Sequence, residues 1–236
     1  MLFRLDLLCT WWHHHTDMAN TQQPHQPLQH ILRVGLTGGI GCGKNAVAAH
    51  LQRLGALIID TDLIAHEITG KNGLAMPAIK SQFGEDFIQP DGSLDRGKMR
   101  TLVFNDSKAK LALEQITHPL IHQKSQKIAT EGFKQHPPYV VFMVPLLIES
   151  GQWINQNPAK IDYVVVVDCN EAQQISRVQA RNQLPQETIQ KIMASQASRH
   201  ERISVADYVI ENNGTLEELE IESKRLHQIL LRQKSH

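Results

Sequence analysis

Short apolar runs alternate with segments of helical spacing along most of the chain. The first run, residues 31–37 (ILRVGLT), leads into a glycine-rich turn and then into KNAVAAHLQRL, where apolar residues recur at helical intervals. A second run, residues 56–60, follows Leu54-Gly55, a place where a helix is expected to stop and the chain to re-enter a sheet. This order predicts a βαβ crossover and therefore parallel strands.

Three further runs are dense in Val, Ile or aromatic residues and predict buried strands at residues 139–144, 163–168 and 208–211. Together, the five runs predict an α/β fold with a five-stranded parallel sheet. Residues 63–137, between the second and third strands, have mostly helical patterning. We expect one helix over residues 108–118 and a separate helix after it, with Pro119 in the first turn, a position that suits proline.

The first thirty residues have a different pattern. An apolar stretch over residues 2–12 is followed by three histidines and a Gln/His/Pro-rich segment. We expect this extension to be disordered. Its apolar part is too short to cross a bilayer and lacks a small-residue cleavage site, which argues against a signal peptide. Met18 is an alternative translation start.

Charge and cysteine usage narrow the choice of partners. The 236 residues include 24 Lys plus Arg and 24 Asp plus Glu, so no overall field favours nucleic acid or an acidic membrane. The three cysteines, Cys9, Cys42 and Cys169, are far apart and lack a metal-binding spacing. These features predict a cytoplasmic protein without nucleic-acid or membrane partners, which binds any phosphate locally. We also expect a monomer or weak homo-oligomer.

Residues 38–45, GGIGCGKN, match the phosphate-loop pattern GxxxxGK[ST] at all but the last position. The glycines let backbone N–H groups surround an anion, the helix N-terminus adds positive potential, and Lys44 reaches the transferred phosphate. A glycine-rich turn without a ligand is the alternative, which the flanking strand and helix disfavour. The motif predicts ATP contacts from Gly39, Ile40, Gly41, Cys42, Gly43, Lys44, Asn45 and Ala46.

Asn45 stands where a Ser or Thr hydroxyl normally ligates Mg²⁺. An amide oxygen on a longer arm suits the rigid octahedral geometry of Mg²⁺ less well. Three interpretations stay open: Asn45 ligates through its carbonyl oxygen, water takes the position, or the protein is a weakened or inactive kinase. We expect impaired use of Mg²⁺, with Asn45 and Asp60 as candidate metal residues.

Cys42 lies inside the loop, directly before Gly43 and the helix N-terminus. Such a position enhances the thiolate character of a cysteine. Oxidation of Cys42 would then block nucleotide entry; the alternative is that Cys42 is simply a small residue that the loop tolerates.

Five segments in succession resemble the dephospho-coenzyme A kinase family, a branch of the P-loop kinases. They are GLTGGIGCGK (35–44), LGALIIDTDLIAHEI (54–68), THPLI (117–121), VPLLIE (144–149) and SQASRHERISVADYVIENNG (195–214). The resemblance covers residues 32–231 and implies a three-layer P-loop NTPase fold. In that fold, residues 31–62 and 138–236 form the nucleotide-binding core, with a lid around 174–200, and residues 63–137 form a helical insertion that binds the acceptor.

The resemblance also implies an activity: ATP- and Mg²⁺-dependent phosphorylation of the ribose 3′-hydroxyl of dephospho-CoA, the last step of coenzyme A biosynthesis. Two alternatives remain, another small-molecule or nucleotide kinase, and a nucleotide-binding protein whose catalysis is weakened by Asn45. A GTPase is disfavoured because the chain has no NKxD motif. A mechanical ATPase is disfavoured because Cys169 follows Asp168, where a water-activating Glu would be needed.

Asp60 and Asp62 lie at the carboxyl end of the second predicted strand, the edge where ligands bind in open α/β sheets. The resemblance assigns the catalytic carboxylate to Asp62, which would accept or orient the proton of the ribose hydroxyl. The alternative is that Asp62 is only the N-cap of the following helix.

Basic and polar residues after the fourth strand are the other nucleotide candidates. Arg177 and Arg181 are four apart, hence on one helix face, and the resemblance places them in the lid, with Arg177 catalytic. Helix arginines are also often merely solvated. The resemblance places Arg199, together with Arg202, near the nucleotide. It does the same for Asn213, although Asn-Gly marks any tight turn.

For the acceptor, the resemblance implies contacts from Asp62, Arg96, Arg100, His118, Pro145 and Leu146. Arg96 has a clear physical task, because dephospho-CoA carries a pyrophosphate. His118 is open to a simpler interpretation as the residue that precedes a helix.

Overall fold

The computed structural model describes residues 31–150, Trp153 and residues 161–233. The prediction of a disordered extension over residues 1–30 lies outside the described residues. So do residues 151–152, 154–160 and 234–236, which belong to the predicted nucleotide-binding core.

The sheet has five parallel strands, as predicted, and their order is β2-β3-β1-β4-β5. The strands are β1 (Arg33–Gly38), β2 (Leu57–Asp60), β3 (Val140–Met143), β4 (Tyr163–Asp168) and β5 (Tyr208–Glu211). The central strand β1 pairs with β3 on one side and β4 on the other, with Gly35 opposite both Phe142 and Val164. Because all strands are parallel, their carboxyl ends meet at one edge.

Helices cover both faces of the sheet and complete the predicted three layers. The helices are α1 (Lys44–Arg53), α2 (Thr61–Ile68), α3 (Met76–Phe83), α4 (Arg96–Asn105), α5 (Ser107–Gly132), α6 (Leu147–Ser150), α7 (Glu171–Asn182), α8 (Gln186–Ala194), α9 (Arg199–Ser204) and α10 (Leu216–Gln233), with short 3₁₀ turns at Glu85–Phe87 and Phe133–Gln135. Within the described ranges, none of the helices combines the length and apolar character that a bilayer crossing needs.

Two apolar clusters hold the layers together. One lies between the sheet and helices α1 and α10, and includes the buried Leu51 and Leu226. The other lies between the sheet and helices α2 to α5, and includes the buried Ile64, Ile79 and Ala129. The strands therefore have apolar side chains on both faces, which explains why they read as nearly continuous Val and Ile runs.

The predicted break at Pro119 is wrong, because α5 continues through the proline as one helix of 26 residues. Proline cannot donate to the carbonyl of Gln115, and in a helix interior it costs about 3 kcal/mol. The helix persists because apolar side chains on both sides of the proline, including Ile116, Leu120 and Ile121, pack against the second cluster. Burial of several such side chains, at about 1 kcal/mol or more each, offsets that cost.

Candidate active site

The phosphate loop joins the end of β1 to the start of α1, the strand–loop–helix order that the motif requires. Gly43 has a φ of 96°, and a Cβ atom built on it would lie 2.4 Å from Nδ2 of Asn212. Gly41 has a φ of 75°, and its Cβ would lie 2.8 Å from the carbonyl oxygen of Gln174. Glycine is therefore needed at both positions, for backbone conformation and for space.

Lys44 lies at the start of α1 and turns back across the loop. Its Nζ donates a hydrogen bond to the carbonyl oxygen of Gly38 at 2.6 Å. Burial lowers the pKa of Lys44, while the negative charge of Asp62 opposes that shift. The ammonium group and the Asp62 carboxylate thus belong to one electrostatic site, although they come from different strands' ends.

Asp60 and Asp62 have separate tasks. Asp60 is the N-cap of α2, and its Oδ1 accepts hydrogen bonds from the backbone N–H groups of Asp62 at 2.9 Å and Leu63 at 3.2 Å. The alternative that Asp62 is the N-cap is therefore wrong. Thr61 fixes the turn, because its Oγ1 donates to the carbonyl oxygen of Met143 at 2.7 Å. Asp62, in the first turn, is left with an exposed carboxylate that no capping bond occupies.

The surroundings of Asp62 raise the pKa of its carboxyl group above the usual value. The largest cause is partial burial among protein groups, followed by the negative charge of Asp60; the positive charge of Lys44 opposes both. A carboxylate with a raised pKa is a better proton acceptor than an ordinary one. This direction agrees with the predicted role of Asp62 as a proton acceptor.

Arg177 and Arg181 differ in position although they share helix α7. Arg177 is half-buried, and its Nη2 lies 3.4 Å from Oδ1 of Asn212. The Nδ2 of the same Asn212 donates to the carbonyl oxygen of Cys42 at 2.8 Å. Arg181 is exposed, and its Nε donates to Oδ1 of the neighbouring Asn182. The structure thus brings Arg177, but not Arg181, to the phosphate loop.

Asn212 is a site residue that the sequence interpretation missed, since it pointed to Asn213. The side chain of Asn213 accepts a hydrogen bond from the backbone N–H of Asn170 at 2.9 Å, and its carbonyl oxygen accepts one from Gln173 at 2.6 Å. Asn213 therefore joins the turn after β5 to the start of α7. Asn212 is buried and faces the loop itself.

The segment around α9 adds a second set of contacts to the loop. Arg199 forms an ion pair with the buried Asp168, with Nε and Oδ2 2.7 Å apart. Arg202 is buried, and a Cβ on Gly39 would lie 3.2 Å from its Nη2. Gln196 accepts a hydrogen bond from the backbone N–H of Ile40 at 3.0 Å. Sequence reasoning missed Asp168 and Gln196; the position of Asp168 at a strand's carboxyl end was the available signal.

The candidate acceptor residues lie on the insertion and beside β3. On α4, the Nη2 of Arg96 donates to Thr69 Oγ1 at 2.7 Å and to the His66 carbonyl at 3.2 Å. Burial and the nearby charge of Arg100 lower the pKa of Arg96, so the two guanidinium groups form one positive patch. On α5, His118 is half-buried, and its Nδ1 has no hydrogen-bond partner within the described chain.

The turn after β3 carries the other two acceptor candidates. The carbonyl oxygen of Pro145 accepts a hydrogen bond from Thr37 Oγ1 at 3.3 Å, which ties the turn to β1. The side chain of Leu146 is 45% exposed at the same edge of the sheet. In the following helix α6, Glu149 accepts a hydrogen bond from the backbone N–H of Ala197 at 2.7 Å. The turn and α6 therefore link β1 to the segment before α9.

The glycine loop, lysine, carboxylate and arginine have the chemistry that phosphoryl transfer needs, and comparison with known proteins identifies the family of the chain. A family model for dephospho-CoA kinase matches residues 32–218. The chain belongs to the dephospho-CoA kinase family. A dephospho-CoA kinase of Burkholderia thailandensis is 52% identical over 199 residues, which cover 84% of this chain and 95% of that relative.

Solved structures agree with this family. A crystal structure of a Thermus thermophilus protein is 30% identical, with a TM-score of 0.71, and the match covers 85% of this chain and 98% of that one. A dephospho-CoA kinase from Campylobacter jejuni is 27% identical, with a TM-score of 0.61, and the match covers 85% and 97% of the two chains. The fold predicted from the sequence is confirmed.

Membership of the dephospho-CoA kinase family confirms the prediction drawn from the five segments. The chain is therefore a kinase, and ATP is its phosphoryl donor. Neither another small-molecule kinase nor a non-catalytic nucleotide-binding protein is supported by these comparisons. The roles of individual side chains stay predictions.

Proposed function

We propose that this protein transfers the γ-phosphoryl group of ATP to the ribose 3′-hydroxyl of dephospho-CoA and so produces coenzyme A. The observation that carries this proposal is the division of tasks at the end of β2. Asp60 caps α2, so the carboxylate of Asp62 stays available beside Lys44 at the phosphate loop.

In the proposed reaction, the loop backbone and Lys44 hold the phosphates of ATP. Asp62 accepts the hydrogen bond, and then the proton, of the 3′-hydroxyl, whose oxygen attacks the γ-phosphorus in line while ADP leaves. Arg177 neutralises negative charge on the transferred group. The raised pKa of Asp62 makes it a suitable acceptor for that proton.

The acceptor would lie against the insertion. The adjacent guanidinium groups of Arg96 and Arg100 match the pyrophosphate of dephospho-CoA, because arginine binds phosphate oxygens with paired hydrogen bonds. His118, Pro145 and Leu146 would contact the rest of the acceptor. We further propose that the protein works in the cytoplasm as a monomer or weak homo-oligomer, without nucleic acid or membrane.

Magnesium fits this site as a partner of the substrate rather than as a resident ion. Within the described residues, no group of three or more His, Cys, Asp or Glu side chains could hold a metal. Mg²⁺ commonly keeps several waters and binds one or two protein oxygens plus substrate phosphates. Asn45, exposed in the first turn of α1, and Asp60 would offer such oxygens, and the bound ion would neutralise charge on the β- and γ-phosphates.

Asn45→Ser is expected to lower the Mg²⁺ concentration for half-maximal activity by about tenfold, because a hydroxyl on a short arm fits octahedral Mg²⁺ better. The measurement is initial rate against free Mg²⁺ at saturating ATP. Asn45→Ala separates the remaining interpretations: it weakens Mg²⁺ use if the amide oxygen ligates, and matches wild type if water takes the position. An unchanged Mg²⁺ dependence in Asn45→Ser would contradict the predicted impairment.

The activity itself is tested by ADP release from Mg·ATP with dephospho-CoA, adenosine, AMP or no acceptor. We expect turnover with dephospho-CoA alone, and a mass gain of one phosphate on the acceptor. Equal turnover with AMP would contradict the proposed acceptor.

Arg96→Ala should raise the KM for dephospho-CoA by about tenfold or more, because a charged hydrogen bond contributes about 1.5–3 kcal/mol. The KM for ATP should stay unchanged.

A further inference from the structure

Cys42 of the phosphate loop and Cys169 at the end of β4 form a buried pair that phosphoryl transfer does not use. Their Sγ atoms lie 3.2 Å apart, and both are free thiols. They are 127 positions apart in the sequence, so the fold alone brings them together. We propose that these two cysteines are a redox modification site: a reversible disulfide between them switches off nucleotide binding at the loop.

The two thiols differ in pKa, and this difference determines which of them reacts first. Cys169 donates a hydrogen bond to the sulfur of Cys42, and this contact lowers the pKa of Cys42 to about 7, helped by the charge of Lys44. The same contact, together with burial, raises the pKa of Cys169. Because the thiolate is the reactive form, Cys42 is the attacking residue and Cys169 the resolving residue.

With hydrogen peroxide as the oxidant, the step balances without any other reactant. The Cys42 thiolate attacks one peroxide oxygen, the O–O bond breaks, and the departing hydroxide takes a proton to become water, which leaves a sulfenic acid. The Cys169 sulfur then attacks the Cys42 sulfur, the S–O bond breaks, and the departing hydroxide takes the Cys169 thiol proton and leaves as a second water. Two thiols lose two electrons in total, and an added dithiol reverses the change by exchange.

A cavity of about 220 Å³ lies next to the sulfur pair. Cys169 lines it, together with Gln174, Gln196, Ser198 and Arg202, and the Cys42 sulfur lies 3.2 Å from the Cys169 sulfur. A peroxide molecule is little larger than water, whose share of liquid volume is about 30 Å³, so the cavity has room for it.

Closing the disulfide would displace the loop. The sulfur atoms must approach from 3.2 Å to about 2.05 Å, a movement of about 1 Å. The backbone of Cys42 cannot absorb it freely, because its carbonyl oxygen is bound to Asn212 and its N–H to Gly39. A misplacement of about 1 Å in a catalytic site costs on the order of 100-fold in rate.

The test treats the full-length protein, fully reduced and then freed of reductant, with hydrogen peroxide. We expect intact mass spectrometry to show loss of two hydrogens without added oxygen, and peptide mapping to link Cys42 to Cys169. The kcat/KM for ATP should fall at least tenfold and recover on addition of a dithiol. The loss of activity rests on the proposed function, whereas the mass change does not.

Cys169→Ser should keep its basal activity, and under peroxide it should gain oxygen instead of losing hydrogens. Cys169→Ala serves if the serine variant folds poorly, and Cys9→Ser, whose change lies outside the pair, should behave as wild type. A disulfide that includes Cys9, or one between Cys42 and Cys169 that leaves kcat/KM for ATP unchanged, would overturn the proposal. So would wild-type protein that gains only oxygen.

Discussion

Asp62→Asn is expected to lower kcat by about 10³-fold with little change in the KM for ATP. The asparagine keeps the size and the first-turn position of the side chain, but it cannot accept the proton of the ribose hydroxyl. General-base catalysis of this kind contributes about 10² to 10⁴ in rate. The measurement is kcat for ADP formation with dephospho-CoA, together with ATP affinity in the absence of acceptor.

The same substitution should not destabilise the protein, which separates a catalytic role from a structural one. The folded protein raises the pKa of Asp62, so the folded state binds more protons than the unfolded state, and this group's contribution to stability decreases as pH rises through that raised pKa. Asp62→Asn removes the negative charge, and with it the loss of stability that the ionised carboxylate causes at neutral pH. The melting temperature of Asp62→Asn at neutral pH should therefore equal or exceed that of wild type.

Asp60→Asn is the matched control, since asparagine is also a good N-cap and α2 should persist. We expect a smaller loss of kcat. The acidic limb of its pH profile should move to lower pH, because the charge of Asp60 helps to raise the pKa of Asp62. If Asp62→Asn keeps more than a tenth of wild-type kcat, or if its melting temperature falls well below wild type, the assignment of Asp62 as base is wrong.

Much of the fold was predictable because its signals are local. Five runs of Val, Ile and aromatic residues have enough apolar character to identify strands that are buried on both faces. The glycine-rich loop is recognisable in the sequence because phosphate binding needs glycine at fixed spacings. The predicted helix break at Pro119 was wrong because the decisive signal there is not local. Helix propensity disfavours proline, but the packing of α5 against the second cluster outweighs that preference.

The site was predictable only in part, since its contacts join distant segments. The two aspartates of the DTD segment look alike in sequence, and the hydrogen bonds at the start of α2 alone distinguish the cap, Asp60, from the available Asp62. Asn212 lies 170 positions from Cys42 and touches it. No sequence motif reveals a contact between residues so far apart. Sequence patterns therefore predicted the elements that form the site but not the hydrogen bonds between them.

Arg177→Ala is expected to lower kcat by about 10² to 10³-fold, and Arg181→Ala, one turn along the same helix, by no more than about threefold. The difference follows from position: Arg177 reaches Asn212 and through it the phosphate loop, whereas Arg181 binds its neighbour Asn182 at the exposed end of α7. Loss of a positioned donor to a developing negative charge typically costs this much. Surface arginines contribute far less.

The comparison needs kcat and ATP affinity for both variants, because a donor that acts in the transition state affects kcat more than binding. Arg177→Lys should recover only part of the rate, since an ammonium group lacks the paired donors of guanidinium. If both alanine variants lose activity equally, the predicted lid closes further than the Arg177 contact indicates and brings Arg181 to the phosphates as well. If neither loses activity, Arg177 has only a packing role.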